Sequence, residues 1–471
     1  MSEQDTYDVV VIGAGPVGEN VADRAHRGGL SVCIIEKHLV GGECSHYACI
    51  PSKALLRPVQ VVHGSQRVRG VVPASLDAPG VLARRDKLTG AGDDGGGVSW
   101  LDSAGIDLVR GHARLSGERL VMVTTDGRAA DRQLSARHAV VLAVGTEASI
   151  PAIPGLREAE PWTNREATTS ETVPGRLIVL GGGVVAVEMA QAYQGLGAEV
   201  TVIERGDRLL GRTEDFAGKL VLASLRGDGV DVRLGSAATR VQRHPDRSVT
   251  VELDGGSTIE ADEVLAALGR RPATGDLGLD AVGLEPGGYV DVDDTLLVTA
   301  VDGEWLYATG DVNGRNLLTH MGKYQGRVCG DVIVARAAGE PVDKPSLSAL
   351  ADRIGAPQVV FTDPEVAAVG YTAAEAARKG FEVDVVDVEM SAAAGAGLLA
   401  DDYAGKARLV IDSKRRVILG ATFVGQDTAE MLHSATIAVV GEVSLDRLWH
   451  AVPAFPTMSE VWLRLLESYG L

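Results

Sequence analysis

Cysteine is scarce in this sequence, with four residues among 471. A secreted scaffold held together by disulfides needs a much higher density, so that class is excluded. No run of about 18 apolar residues occurs, which argues against a membrane-spanning helix. The chain begins Met-Ser-Glu-Gln-Asp and lacks the basic start of a secretory signal peptide. We therefore expect a cytoplasmic protein with no membrane partner.

Positive charge is also in deficit. Lys and Arg number 45 against 64 Asp and Glu, which gives a net charge of −19. Proteins that bind nucleic acids or anionic membranes draw their affinity from clustered Lys and Arg, so neither partner is expected. A helix N-terminus can still hold a phosphate on an acidic protein, because that attraction is local. Nucleotide cofactors therefore remain possible.

The chain is too long for a single hydrophobic core. Domains of roughly 150 residues are typical, so 471 residues indicate a multidomain enzyme. Within it, the cluster Asp93-Asp-Gly-Gly-Gly97 has the composition of an exposed loop, and no chemistry is assigned to it.

Two segments repeat one order of elements: a strand, a glycine-rich turn, a helix and a second strand. The first begins with the apolar run at 7–12 and the second with the run at 176–180. In both, the first glycine of the turn stands 23 positions before a glutamate; the pairs are Gly13 with Glu36 and Gly181 with Glu204. Two chance matches at one spacing are improbable, so the sequence predicts a duplicated mononucleotide-binding unit.

Each position of this motif has a physical role. The first glycine permits a tight turn, the second lets the backbone approach a pyrophosphate, and the third small residue allows close packing of helix on strand. The glutamate accepts hydrogen bonds from a ribose diol. These positions are Gly13, Gly15, Gly18 and Glu36 in the first segment and Gly181, Gly183, Ala186 and Glu204 in the second.

Two of the cysteines, Cys44 and Cys49, lie five positions apart, shortly after the second predicted strand. If 44–49 are helical, a disulfide between them requires a distorted first turn, and a helix N-terminus would favour the reactive thiolate. Two buried free thiols are the alternative, and the spacing alone leaves both open. Cys33, in an apolar strand, and Cys329, on a predicted helix, are expected to be core thiols.

The segment Gly41-Gly-Glu-Cys-Ser-His-Tyr-Ala-Cys-Ile-Pro-Ser-Lys53 carries a more specific pattern. Together with the two glycine turns it resembles the pyridine nucleotide-disulfide oxidoreductases, which include dihydrolipoamide dehydrogenase, glutathione and mycothione reductases and mercuric reductase. Further segments resemble the same family, namely Ala143-Val-Gly-Thr146, Gly269-Arg-Arg-Pro272, Ala308-Thr-Gly-Asp311 and 357–365. The resemblance therefore covers nearly the whole chain.

The resemblance implies an α/β fold with two Rossmann-like dinucleotide-binding domains and a C-terminal α+β dimerisation domain. The FAD-binding domain is expected in two parts, at 1–155 and 272–345, with the NAD(P)-binding domain at 156–271 between them. The dimerisation domain is expected at 346–471. A homodimer with an active site shared across its interface is implied as well.

The resemblance also implies residue roles. FAD would be bound by Gly13, Gly15, Gly18, Glu36, Gly42, Thr146 and Asp311, and the nicotinamide cofactor by Gly181, Gly183 and Glu204, with Gly269 at the return to the FAD-binding domain. Lys53 and Glu188 would form a buried pair near flavin N5, where the ammonium stabilises reduced flavin and the carboxylate compensates it. Electrons would pass from NAD(P)H through flavin to a disulfide, with Cys49 against the flavin and Cys44 attacking substrate.

The expected cofactors are FAD and NADH, and no metal is expected. The carboxylate of Glu204 accepts from a free 2′-hydroxyl and repels the extra phosphate of NADPH. Arg205 or Arg208 could instead hold that phosphate, and an alanine like Ala186 also occurs in NADP-binding relatives. NADH is favoured, and NADPH stays open.

The sequence departs from the family in the segment Pro453-Ala-Phe-Pro-Thr-Met-Ser-Glu460. Relatives that exchange thiols carry His-Pro-Thr followed by Ser-Glu, and the partner subunit supplies this histidine as the acid-base group. Phe455 stands in its place, while Glu460 remains. A phenyl ring cannot move a proton, so disulfide exchange should lose the roughly 10²–10⁴-fold that such a group supplies. His46 or His450 could act as a substitute base.

The leading functional hypothesis is a FAD-dependent NAD(P)H oxidoreductase whose small-molecule acceptor needs little proton help, such as a quinone, a metal ion or an activated disulfide. A dithiol-driven C–S cleavage or carboxylation is an alternative. It resembles 2-ketopropyl-coenzyme M oxidoreductase/carboxylase, which also has phenylalanine at this position but lacks the glutamate. A non-catalytic flavoprotein redox sensor is the third possibility.

Overall fold

The computed structural model describes residues 5–125 and 132–471. Helices and strands alternate along much of the chain, as expected for an α/β protein. The α-helices of the described residues are α1 (Pro16–Arg27), α2 (Gly42–His46), α3 (Cys49–Gln66), α4 (Ala78–Thr89), α5 (Gly95–Ser103), α6 (Asn164–Thr169), α7 (Val184–Gly195), α8 (Asp215–Gly227), α9 (Thr319–Ala337), α10 (Ala351–Ile354), α11 (Ala373–Arg378), α12 (Ala394–Leu399), α13 (Leu432–Val440), α14 (Leu445–Leu448) and α15 (Val461–Tyr469). The strands are β1 (Asp5–Ile12), β2 (Val32–Glu36), β3 (Asp107–Arg110), β4 (His112–Gly117), β5 (Leu120–Thr124), β6 (Arg132–Leu142), β7 (Thr146–Ala148), β8 (Arg176–Leu180), β9 (Glu199–Glu204), β10 (Asp231–Leu234), β11 (Ala238–Arg243), β12 (Val249–Leu253), β13 (Thr258–Ala261), β14 (Glu263–Ala266), β15 (Arg270–Pro272), β16 (Leu306–Ala308), β17 (Gln358–Val360), β18 (Glu365–Gly370), β19 (Val383–Glu389), β20 (Lys406–Asp412) and β21 (Val417–Gly425).

These elements fall into two compact units. The first unit comprises the described parts of Met1–Pro51 and Asp86–Ala148, together with Arg270–Asp352; the second comprises Ser52–Arg85, Ser149–Gly269 and Arg353–Leu471. Each unit contains one of the two glycine turns, and the four domain ranges given above stay predictions. Within the described ranges, no helix combines the length and apolar character needed to cross a bilayer.

The first unit is built on a seven-stranded sheet with the order β3-β2-β1-β6-β5-β4, and β16 also pairs with β6. The strands β3, β2, β1, β6 and β16 run parallel, whereas β4, β5 and β6 pair antiparallel. All five residues of β2 are buried, as in parallel strands covered on both faces. The carboxyl ends of β1 and β2 therefore lie side by side, with the Gly13 turn after one strand and Glu36 at the end of the other.

The second unit contains a four-stranded parallel sheet, β10-β9-β8-β14, which places the Gly181 turn and Glu204 in the same relation. It also contains a three-stranded sheet, β11-β12-β13, and a five-stranded antiparallel sheet, β17-β18-β21-β20-β19. Helices α13 and α15 share a hydrophobic core with the five-stranded sheet. This arrangement confirms the predicted α/β class with a C-terminal α+β part.

The aspartate and glycine cluster at 93–97 differs from the expectation of a plain exposed loop, because α5 begins at Gly95. Asp94 Oδ2 accepts hydrogen bonds from Val40 N at 2.7 Å and from Arg110 Nη2 at 2.5 Å. Burial opposes ionisation, but these hydrogen bonds prevail and lower the pKa of Asp94. The loop expectation is therefore wrong, because a helix begins within residues 93–97. Asp94 is also hydrogen-bonded to Val40, which precedes the cysteines in the chain.

A charged cluster at the end of α3 holds several parts of the second unit together. His63 Nδ1 lies 3.2 Å from Asp363 Oδ2, and its Nε2 lies 3.7 Å from Asp228 Oδ1. Arg67 Nη1 donates to Asp363 Oδ1 at 2.8 Å. The hydrogen bond to Asp363 raises the pKa of His63 above its ordinary value, against the opposing effect of burial.

We predict that this cluster makes the stability of the protein depend on pH. A histidine whose pKa is raised in the folded state stabilises it fully below the unfolded-state pKa near 6.5, and the contribution is lost as pH rises through the folded-state pKa. His63→Gln should therefore lower the apparent Tm more at pH 5.5 than at pH 8.5, by the equivalent of about 1 kcal/mol or less. Thermal unfolding at both pH values measures the difference. The exposed His138→Gln variant is the control, and an equal loss for His63→Gln at both pH values would contradict the prediction.

Candidate active site

The first glycine turn leaves an open cradle above a helix N-terminus. Gly13 has φ +105°, and a Cβ placed there would lie 2.5 Å from Ala143 O, so a side chain is excluded. Gly15 precedes the 12-residue helix α1 without a side-chain cap, and a Cβ there would meet nothing within 4 Å. A Cβ on Gly18 would lie 1.9 Å from Gly13 O, as close packing of helix on strand requires. The uncapped amides and the empty space fit a pyrophosphate.

The second glycine turn has the same geometry. Gly181 has φ +111°, and a Cβ on it would lie 2.4 Å from Ala267 O. Gly183 precedes the 12-residue helix α7, again with no side-chain cap and open space at its Cβ position. Ala186 is fully buried where the third small residue belongs. The residues present therefore fit a second dinucleotide.

The two glutamates are held in similar ways at the ends of their strands. Glu36 accepts from Ala14 N at 2.8 Å with Oε2 and from His38 N at 2.7 Å with Oε1. Glu204 Oε1 accepts from Gly206 N at 2.5 Å. The backbone amide two residues further along thus orients each carboxylate beside its glycine turn.

A buried polar group at the ends of β7 and β16 belongs to the first unit. Thr146 Oγ1 donates to Asp311 Oδ2 at 2.8 Å, and Arg270 Nε donates to Thr146 Oγ1 at 2.7 Å. Burial raises the pKa of Asp311, while the hydrogen bond from Thr146 opposes the rise. The buried hydroxyl of Thr309 has no hydrogen-bond partner among the described residues. An unpaired hydroxyl next to a buried carboxylate fits a polar ligand such as FAD.

Two further glycines from the sequence prediction have different surroundings. A Cβ on Gly42 would lie 3.0 Å from Gly15 Cα, so the turn before the cysteines rests against the first cradle. Gly269 lies in the second unit, where its carbonyl accepts from Ser149 N at 2.9 Å.

Cys44 and Cys49 lie on different helices. α2 ends at His46, and Tyr47 has φ −133° before α3 begins at Cys49, so the segment 44–49 is not one helix. Neither cysteine is in a disulfide in this structure. Cys49 Sγ lies 3.3 Å from Thr319 Oγ1, a contact across 270 residues that no local pattern signals.

The other two cysteines are fully buried, as predicted. Burial raises the pKa of the Cys33 thiol to about 12 and also raises the pKa of Cys329. A thiol buried in this way stays protonated and unreactive.

The two histidines considered as substitute bases differ in environment. His46 is buried on α2, and its Nε2 donates to Val40 O at 2.8 Å. Its Nδ1 has no hydrogen-bond partner among the described residues. His450 is exposed just after α14.

Lys53 and Glu188 form an ion pair within the second unit. Lys53 Nζ donates to Glu188 Oε2 at 2.7 Å and lies 3.2 Å from Ser52 Oγ. Glu188 is 3% exposed, whereas Lys53 is 34% exposed. The second carboxylate oxygen accepts from Phe361 N at 2.9 Å, a partner that the sequence analysis missed. Both oxygens of the buried carboxylate are thus satisfied.

Phe455 and Glu460 are near one another in sequence but differ in exposure. The Phe455 side chain is 77% exposed in the protomer. Glu460 is buried, and its two oxygens accept from Arg464 Nη2 at 2.6 Å and from Ala394 N at 2.9 Å. Glu460 therefore joins α15 to the start of α12, and this role does not require an imidazole.

Comparison with known proteins gives matches to one family over most of the chain. The family description "Pyridine nucleotide-disulphide oxidoreductase" matches residues 7–335, and its dimerisation domain matches residues 356–465. Dihydrolipoyl dehydrogenase of Haloferax volcanii is 32% identical over 98% of this chain and 96% of its own. Mercuric reductase of Bacillus cereus is 30% identical over 96% of this chain and 70% of its own. The solved structure of the HOCl-induced flavoprotein disulfide reductase RclA from Escherichia coli is similar with a TM-score of 0.83 and 25% identity, covering 98% and 99% of the two chains.

We predict that the Thr319 hydroxyl stabilises the thiolate form of Cys49. In Thr319→Val that hydrogen bond, worth about 1.5 kcal/mol to a charged acceptor, is lost. The long-wavelength thiolate-to-flavin absorbance of the two-electron-reduced protein should then develop at a pH about one unit higher. An anaerobic pH titration measures the midpoint. Thr319→Ser keeps the hydroxyl and should resemble the parent, so equal midpoints for valine and serine would contradict the prediction.

Proposed function

Because the chain belongs to the pyridine nucleotide-disulphide oxidoreductase family and is a flavin-dependent oxidoreductase, we propose that it passes electrons from NADH to a small acceptor that needs little proton help from the enzyme. Quinones, metal ions and activated disulfides are such acceptors. The observation that carries the proposal is Phe455, an exposed phenyl ring where thiol-exchanging relatives have an imidazole. A relative named mercuric reductase supports a metal ion within this acceptor class.

In this proposal the two glycine turns bind the two cofactors through which electrons enter the protein. Gly13, Gly15, Gly18, Glu36, Gly42, Thr146 and Asp311 hold FAD, and Gly181, Gly183 and Glu204 hold NADH, with Gly269 close to the return of the chain. Bound there, FAD and NADH would supply hydride transfer and a two-electron source for the cysteine pair. Lys53 would stabilise the negative charge of a reduced flavin, and Glu188 would keep that ammonium oriented.

Electron exit is assigned to Cys44, with Cys49 facing the flavin. A thiolate can donate electrons to a soft metal ion without a proton transfer, whereas release of a thiol from an unactivated disulfide requires one. The apolar ring of Phe455 would exclude water and proton donors from the acceptor side of Cys44. Glu460 is fully engaged by Arg464 and the Ala394 amide, so we assign it a structural role.

The dimerisation-domain match indicates a homodimer. Large apolar side chains stay exposed on one protomer over α13, α14 and the segment before α15; they are Ile437, Val440, Trp449, Val452 and Phe455. Exposed apolar side chains clustered in this way are typical of a protein interface. We propose that the partner subunit covers them and that Phe455 of one protomer faces the cysteine pair of the other.

We predict that Glu204 selects NADH. Glu204→Gln removes the charge that repels a 2′-phosphate, so the kcat/KM ratio of NADPH to NADH should rise about tenfold, the effect of roughly 1.4 kcal/mol. Steady-state rates with each nucleotide give the ratio. Glu199→Gln makes the same change at the other end of β9 and should leave the ratio as it is. A parent enzyme that prefers NADPH would refute the assignment.

We also predict that the acceptor range follows from Phe455. The parent should reduce menadione or Hg(II) at least about 100-fold faster than lipoamide, since lipoamide reduction needs an acid-base group. Phe455→His should raise the lipoamide rate alone, and Phe455→Leu should not. Steady-state NADH oxidation with each acceptor measures this. Fast lipoamide reduction by the parent would sink the proposal.

A Cys44→Ser variant then shows at which group each acceptor takes its electrons. If the rate with Hg(II) falls while menadione reduction persists, the metal ion takes electrons at the dithiol and the quinone takes them at the flavin. If Cys49→Ser leaves the anaerobic NADH titration of the flavin spectrum unchanged, the dithiol route is wrong.

A further inference from the structure

Phe361 contacts both members of the Lys53–Glu188 pair. The centroid of its ring lies 4.8 Å from Lys53 Nζ, and its N–H donates to Glu188 Oε1 at 2.9 Å. Lys53 lies on α3 and Glu188 on α7, whereas Phe361 follows β17 directly. A residue next to the C-terminal five-stranded sheet thus faces the cation and binds the anion of the pair.

The position of Phe361 is fixed on several sides. Its carbonyl accepts from Gln60 Nε2 on α3 at 3.1 Å. Its ring packs, partly buried, against a core cluster that includes Leu56, Val187 and Val360 from α3, α7 and β17. A rotation of the ring away from Lys53 would disturb its packing against this core cluster.

The Phe361 ring adds a third contact to the ammonium of Lys53. The hydrogen bonds of this ammonium run to Glu188 Oε2 at 2.7 Å and to Ser52 Oγ at 3.2 Å, and the side chain is 34% exposed. A flexible four-carbon side chain with that exposure has other directions open to it toward water. The aromatic face attracts the cation electrostatically, an effect of about two- to thirtyfold on an equilibrium constant.

We propose that Phe361 is a positioning residue, whose ring holds the Lys53 ammonium in place and thereby favours reduction of the bound flavin. This inference rests on the proposed function, which puts Lys53 beside flavin N5. It adds that the segment directly after β17, through a single aromatic residue, shifts the equilibrium of flavin reduction.

The test is the reduction potential of the bound flavin, measured by dithionite titration against reference dyes without any nicotinamide. The relevant step is the second electron pair, which reduces the flavin after the cysteine pair. Phe361→Leu and Phe361→Met both remove the ring but keep the N–H bond to Glu188. Each should lower the equilibrium constant for flavin reduction about three- to tenfold; tenfold is about 30 mV for a two-electron couple. Phe361→Met keeps more volume and serves if the leucine variant loses FAD or fails to fold.

Two control variants test whether a shift in potential comes from loss of the aromatic ring or from a general loosening of the packing. Phe361→Tyr keeps an aromatic face and should match the parent. Phe216→Leu removes a ring that packs against the same core cluster and faces other cations, Lys406 at 5.4 Å and Arg408 at 5.3 Å. It should leave the potential unchanged. A shift in either control as large as in Phe361→Leu would overturn the inference.

A Lys53→Gln variant distinguishes failure of this inference from failure of the proposed function. If Lys53→Gln lowers the potential while Phe361→Leu and Phe361→Met do not, the ring has no positioning role and the inference is overturned. If none of the three shifts the potential, Lys53 does not act on the flavin, and the proposed placement fails with the inference. Lack of NADH oxidation by the parent would refute only the proposed electron entry, since the dye titration needs no nicotinamide.

Discussion

Both proposed cofactor sites depend on a turn that only glycine can make. Gly13 and Gly181 leave buried strands with φ of +105° and +111°, and a Cβ on either would lie within 2.5 Å of a backbone carbonyl. Because the turn is so tight, α1 and α7 begin three residues later with uncapped amides. Gly41 N donates to Ala14 O at 2.8 Å, so the chain that leads to the cysteines is attached to the first of these turns. A side chain at Gly13 would therefore move the cradle and the approach to the cysteines together.

The second requirement is compensation of buried charge. Glu188 is 3% exposed, and a carboxylate so placed is stable only if both oxygens have partners. Lys53 supplies one partner and the Phe361 amide the other, which joins α3, α7 and the chain after β17 around one carboxylate. The ion pair is thus at once a packing constraint on the second unit and the electrostatic element of the proposed mechanism.

The sequence predicted those parts of the site whose geometry is local. Gly13, Glu36 and their counterparts in the second unit follow from strand, turn and helix signals within about 25 residues, and the fold class follows from their repetition. Phe361 and Thr319 carry no such signal. Phe361 meets Glu188 across 173 residues and Thr319 meets Cys49 across 270, so only the folded topology brings them together. Composition also failed at 93–97, where α5 begins at Gly95 and the partners of Asp94, Val40 and Arg110, lie 54 and 16 positions away.

Glu460 and Phe455 meet different physical constraints, although only five positions separate them. The carboxylate is buried, and its partners are Arg464 four residues later and the Ala394 amide 66 residues away. Removing it would leave that amide and Arg464 without their acceptor, a cost of about 1–3 kcal/mol for a buried donor. An exposed ring such as Phe455 can be exchanged for an imidazole at little cost to the fold. Glu460 is therefore tied to the stability of the protomer, whereas the role of Phe455 lies in the proposed dimer interface and in the chemistry of the acceptor.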